Sequence, residues 1–193
     1  MQGTFVRAFL ALGLLAIAAP GATLWNATLN QAQEVPPSGS PATGTGMASY
    51  DPATTILTVT VDWTGLTTPA MMGHIHCCVP PGTNGPVAVP FPNLPAVESG
   101  SYSNAFDLST ASTFGAAFLS ARGGDVSLAR RDLLSAMDGG QAYFNLHTET
   151  FPAGEIRGNI AAVATTDIPE SSALTLLLIG LTLIGVARLV PRV

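Results

Sequence analysis

The three histidines of the chain are His74, His76 and His147. His74 and His76 frame one isoleucine in the run Gly73-His74-Ile75-His76. On a β-strand alternate side chains leave the same face, so these two imidazoles would stand about 6.5–7 Å apart along the chain. That spacing lets both reach one metal ion. His147 closes a second apolar run at residues 141–147, with Glu149 and Glu155 close behind it, and Cys77 and Cys78 follow His76 directly. Imidazole, thiolate and carboxylate are the ligand types of zinc and copper. His74, His76 and His147 are therefore a candidate single-metal site. The competing reading is that they make ordinary hydrogen bonds on a β face, in which case the chain holds no cofactor.

Cys77 and Cys78 are the only cysteines. Neighbouring Cα atoms lie ~3.8 Å apart, whereas ordinary disulfides span ~4.4–6.8 Å. If these two bond to each other they do so as a vicinal disulfide. Free thiols, metal ligation and bridges between chains are the alternatives. Glu155 and Arg157, two apart on a predicted strand, share a face and fit a polar cluster, with Gly158 permitting close packing beside them. The run Glu34-Val35-Pro36-Pro37 reads as a rigid loop, because proline fixes φ. There is no Gly-x-Ser-x-Gly elbow and no phosphate-cradling glycine loop. The chain is accordingly read as not an enzyme.

The elements that must position these groups read as short strands. Residues 56–63 (ILTVTVDW) alternate, with Leu57, Val59, Val61 and Trp63 on one face and Ile56, Thr58, Thr60 and Asp62 on the other. Further strands are expected at 23–29, 73–78, 87–89, 102–108, 141–147 and 155–163. Residues 34–46, rich in Pro, Ser, Gly and Thr, read as a loop or edge segment. Residues 80–95, with six prolines, read as a long loop around the 87–89 piece. Residues 148–154 join the last two strands as a hairpin loop. Residues 111–119 fit helix or strand. Residues 125–137 read as a helix, with Asp125 or Ser127 as cap and Gly139-Gly140 as the stop. Many short strands with turn signals between them predict an all-β sandwich or barrel.

Composition narrows the partners. The chain has no lysine. Between residues 23 and 168 four arginines face eleven acids, a net charge of −7. Nucleic-acid binding needs clustered cations, so that partner is excluded. Mean hydropathy is +0.40, raised by two apolar ends. At the first, Arg7 precedes the 12-residue run AFLALGLLAIAA at 8–19 and then small residues. This order marks a secretory signal peptide, expected over residues 1–22. At the other, residues 173–187 (ALTLLLIGLTLIGVA) form an apolar stretch followed by Arg188 and Arg192. As a helix it would be about 22 Å long. Adding Leu189 and Val190 brings it near the ~30 Å hydrocarbon core. Terminal cations favour a cytoplasmic C-terminus.

That tail, residues 168–193, resembles the PEP-CTERM sorting signal of Gram-negative bacteria: a Pro-Glu-Pro motif, an apolar helix and a basic end. Pro169 and Glu170 match, while Ser171 stands where the second proline belongs. The resemblance implies an inner-membrane precursor, recognition and cleavage by an exosortase, and release to the cell surface or extracellular matrix. A plain membrane anchor is the alternative.

Four pieces of the middle, taken in order, resemble the chordin-type (CHRD) domain. They are Glu34-Val35-Pro36-Pro37, Gly73-His74-Ile75-His76, Tyr143-Phe144-Asn145-Leu146-His147-Thr148, and Phe151-Pro152-Ala153-Gly154-Glu155-Ile156-Arg157-Gly158. The matching motif residues are Glu34, Pro36, Pro37, His74, His76, His147, Thr148, Gly154, Glu155, Arg157 and Gly158. The resemblance implies one domain over residues 23–165. It implies an immunoglobulin-like or superoxide-dismutase-like antiparallel β-sandwich with one short helix, flanked by terminal apolar helices, and no established catalytic activity. The His-x-His strand is similar to the copper ligands of copper/zinc superoxide dismutase, but that family needs further histidines and a zinc-site aspartate. The expected function is an exported, non-enzymatic binding or structural module of the cell surface or matrix, with an extracellular polysaccharide or protein as ligand. The second reading is a single-metal copper or zinc protein.

Overall fold

The computed structural model describes residues 21–163. The expected sorting tail at 168–193, with Pro169 and Glu170, and the expected signal peptide up to residue 20 lie outside the described residues. Among the described residues no helix is long and apolar enough to cross a membrane.

The described chain is mostly β. Its strands are β1 (Thr23–Asn30), β2 (Thr43–Asp51), β3 (Ile56–Thr64), β4 (Ala70–Cys77), β5 (Val87–Pro90), β6 (Gly100–Asp107), β7 (Ala142–Thr148), β8 (Ile156–Asn159) and β9 (Ala161–Ala162). Two helices, α1 (Ala116–Ser120) and α2 (Val126–Asp138), lie between β6 and β7. All strand pairs are antiparallel, and they form one sheet in the order β5-β4-β7-β8-β1-β2-β3-β6, with β9 also paired to β1. This continuous curled sheet is a half-barrel and bears out the all-β expectation. Its join is short: β1 meets β8 at the single pair Asn30–Arg157. The right-handed twist of strands accumulates along such a path and rolls the sheet over its own core.

Alternation decides which side is inside. Leu57, Val59, Val61 and Trp63 of β3 are all buried, as their period-2 pattern predicts. Trp25 and Leu29 of β1, Ile75 and Cys77 of β4, Phe144 and Leu146 of β7, and Ile156 of β8 meet them in one core. The helix α2 adds Ala129, Leu133, Ala136 and Met137 to that core. Its cap is Asp125, whose carboxylate accepts from the backbone N–H of Ser127 and Leu128. The segment that fitted helix or strand became α1, so two short helices replace the one expected.

The segment 34–46, expected as a loop or edge segment, enters β2 at Thr43, and β2 pairs on both sides, with β1 and β3. Glycine and threonine there hid a strand rather than marking a loop. A side chain at Gly46 would come within 2.5 Å of the Phe144 ring. The absence of a Cβ lets β2 approach β7 across the core.

Every residue of β7 is buried. One face, with Ala142, Phe144 and Leu146, belongs to the core. The other carries Tyr143, Asn145 and His147, a polar row that the flanking strands and loops cover.

Candidate metal centre

The polar outer face of β4, β7 and β8 gathers the motif residues. In the register, His74 stands opposite Asn145 and His76 opposite Tyr143 across β4 and β7; Asn145 in turn stands opposite Arg157 across β7 and β8. Residues directly opposite in an antiparallel pair project to the same side. All three histidines therefore leave one face. One nitrogen from each lies within 4.8 Å of those of the other two. His74 Nδ1 and His147 Nε2 are 3.3 Å apart. Two metal–nitrogen bonds of ~2.0–2.1 Å at a tetrahedral angle place their nitrogens about 3.4 Å apart, so this pair already has the span of a ligand edge.

Backbone carbonyls settle the tautomers of His76 and His147, and His147 Nε2 then accepts from His74 Nδ1 in the metal-free chain. His76 Nδ1 lies 2.9 Å from the Gly85 carbonyl oxygen, and His147 Nδ1 lies 3.1 Å from that of Pro152. A carbonyl only accepts, so each Nδ1 carries the proton and each Nε2 keeps its lone pair. This is how metal-binding histidines are commonly oriented from behind. His76 Nε2 is buried and has no hydrogen-bond partner among the described residues. Burial, and then the nearby His147 and His76, push His74 down to about 4. Burial also pushes His76 down to about 4, against the bond to Gly85. His147 is lowered too, first by burial. The cluster is thus held as three neutral imidazoles near pH 7, the form that binds metal.

A second layer fixes the cluster. The His76 ring stacks on Tyr143, with centroids 4.8 Å apart and planes 2° from parallel. The Arg157 guanidinium lies over the same Tyr143 ring at 4.0 Å. The Tyr143 hydroxyl accepts from the Gly85 N–H at 3.0 Å. Tyr143 thereby holds both the ring and the loop whose carbonyl orients it. Arg157 donates from Nη2 to Glu34 Oε2 at 3.1 Å and to Asn84 Oδ1, and from Nη1 to the Thr83 carbonyl. Burial pushes Glu34 up to about 7, although Arg157 pulls the other way.

The remaining motif residues are placed elsewhere. Glu34, expected in a rigid loop, is an internal ion-pair partner, and the Val35–Pro36 peptide after it is cis. Glu155 is fully buried and accepts from Ser40 Oγ, the Thr67 N–H, Thr67 Oγ1 and Thr148 Oγ1. Glu155 and Arg157 therefore anchor separate networks, not the shared cluster their spacing suggested, because Glu155 sits one residue before β8. Gly154 has φ +131, and a Cβ there would come within 2.7 Å of Glu34 Oε1 and 2.8 Å of the Asn145 amide. Gly158 packs its backbone on Leu29, and Pro37 lies with Glu34 along a surface cleft that Pro152 and Gly154 also line.

Neither Glu149 nor Glu155 joins the histidines among the described residues. Glu149 is exposed, and the hydrogen bonds of Glu155 point it to Ser40 and Thr67. The cysteines do not join either. They are bonded to each other, Cys77 inward in the core and Cys78 outward with its Sγ 3.4 Å from Arg122 Nη2. The supporting roles of Tyr143, Asn84 and the Gly85 and Pro152 carbonyls had no signal in residue type or spacing. The register across β4 and β7 sets Tyr143 against His76, and the loops after β4 and β7 carry the Gly85 and Pro152 carbonyls to His76 and His147.

The family model described as the CHRD domain matches residues 25–160. No curated protein and no solved structure matches the chain.

Proposed function

The chain belongs to the CHRD-domain family, and from that premise we propose that it is an exported, non-enzymatic module that binds one transition-metal ion through His74, His76 and His147. The observation that carries the reading is the orientation of the cluster: three neutral imidazoles with converging nitrogens, two of them tied from behind to backbone carbonyls. Bound there, copper or zinc would be held by nitrogen from three strand positions, and the described residues supply no carboxylate or thiolate to that set. In fold terms, the close approach of β2 to β7 across the core supports reading the half-barrel as the immunoglobulin-like or superoxide-dismutase-like sandwich that the family resemblance implies.

The test is metal content. The purified full chain, equilibrated with copper or zinc and freed of excess ion, is expected to retain one ion per chain by elemental analysis. His76→Ala and His147→Ala are expected to lose it. Full-length protein that stays metal-free under saturating supply ends the reading.

The address is a separate part of the proposal. The run at 8–19 and the tail beginning at Pro169-Glu170 support export through the inner membrane, exosortase-type processing, and a place at the cell surface or in the extracellular matrix beside polysaccharide or protein ligands. Mass spectrometry of the native protein is expected to find both ends trimmed. An intact chain recovered from the cytosol would refute it.

A further inference from the structure

Met72 is the cross-strand partner of His147. Paired residues project to one side of a sheet, so its side chain leaves the face that carries the three histidines. The same follows along β4, where Met72, His74 and His76 alternate with Gly73 and Ile75. A bulge sets this register. The pairing steps from Ala70–Thr148 to Met72–His147, and Met71 is the extra residue. Without the bulge, Met72 would face the core, as its neighbour Gly73 does. Instead Met72 is 40 % exposed, a large apolar side chain in water on the face that carries the polar cluster.

We propose that Met72 supplies a thioether ligand to the trihistidine site and makes it selective for copper(I). The inference rests on the metal-binding reading above and deepens it. Three neutral imidazoles and a thioether form a ligand set without charge. A thioether is a soft donor that favours copper(I) and contributes little to zinc. No carboxylate belongs to the cluster among the described residues to offset a second positive charge, and the Arg157 guanidinium lies one ring away, over Tyr143. Both features favour a monovalent ion over a divalent one. The exposure of Met72 puts the soft donor on the solvent side, where an arriving ion meets it first.

The experiment compares the full-length wild type with Met72→Leu and Met71→Leu. Copper(I) affinity is measured by competition with a chromophoric copper(I) chelator under ascorbate, zinc(II) affinity by competition with a zinc indicator, and ligation by X-ray absorption at the copper edge. Met72→Leu is expected to lower copper(I) affinity about tenfold or more and to remove the sulfur scatterer. Zinc affinity should stay within about twofold, and Met71→Leu should match wild type in every measurement. Unchanged copper(I) affinity in Met72→Leu, with copper bound by nitrogen alone in wild type, overturns the methionine assignment and leaves the trihistidine site standing. Wild-type protein that binds neither ion overturns both.

Discussion

Arg157 and Glu34, 123 residues apart in the chain, meet as an ion pair whose side chains are each 2 % exposed. The pair joins β8 to the loop after β1, and the same guanidinium roofs Tyr143 behind His76. Removing one partner of a buried pair strands the other charge. Arg157→Met is expected to destabilise the fold by about 3–5 kcal/mol, with Glu34→Gln costing less. Replacing both partners with apolar residues should recover much of that loss. Denaturant unfolding of the single and double variants checks this, and an additive double variant would show that the two groups are not coupled.

Gly154 must remain glycine. Its φ of +131 and its closeness to Glu34 and Asn145 leave no room for a methyl group. Gly154→Ala should cost at least about 2 kcal/mol, read as a lower unfolding midpoint. A variant as stable as wild type would mean that the hairpin loop adjusts freely.

Tyr143→Phe keeps the ring under His76 and Arg157 but loses the hydroxyl that accepts from Gly85 N–H. The expected stability loss is about 1 kcal/mol. Metal affinity should fall as well, because the Gly85 carbonyl that orients His76 is held less firmly. Equal affinity in both proteins would show that the loop does not depend on this bond.

The pH dependence of the metal-free chain has a definite sign. His74 titrates at about 4 when folded against 6.5 ordinarily. A lowered value means that the stability it contributes is present above pH 6.5 and is lost as pH falls towards about 4. Glu34 runs the other way, raised from 4.5 to about 7. Its contribution is complete below pH 4.5 and is lost as pH rises through 7. The stability difference between wild type and His74→Gln should therefore shrink from pH 6.5 to 4, and that between wild type and Glu34→Gln from pH 4.5 to 7. Flat differences would show that burial does not shift these groups.

Much of the site could be read in advance because strand geometry is local. His74 and His76 share a face wherever a strand runs through them, and β4 does. The strand at His147 was equally legible from its apolar run. Glu149 and Glu155 were harder to place, because closeness in sequence says nothing about direction in a hairpin loop. Glu155 turned to Ser40 and Thr67, residues that no spacing connects to it. The strand at Thr43 was missed because Thr-Gly-Thr-Gly carries no hydrophobic alternation. Its two glycines fit close neighbours, Gly46 against the Phe144 ring and Gly44 against the Asp62 carbonyl.

Residue order alone determined the all-β character, the face that His74 and His76 share, the helix over 126–138 and the inward set of β3, since each follows from a period of two or a few turns of helix. Tertiary structure decided the rest: one curled sheet, the register that sets Met72 and His147 side by side, and the carbonyls that orient His76 and His147. Those depend on how strands distant in sequence pair and twist together. Pairing is a choice among whole-chain arrangements, made by the burial of the core, and no local pattern encodes it.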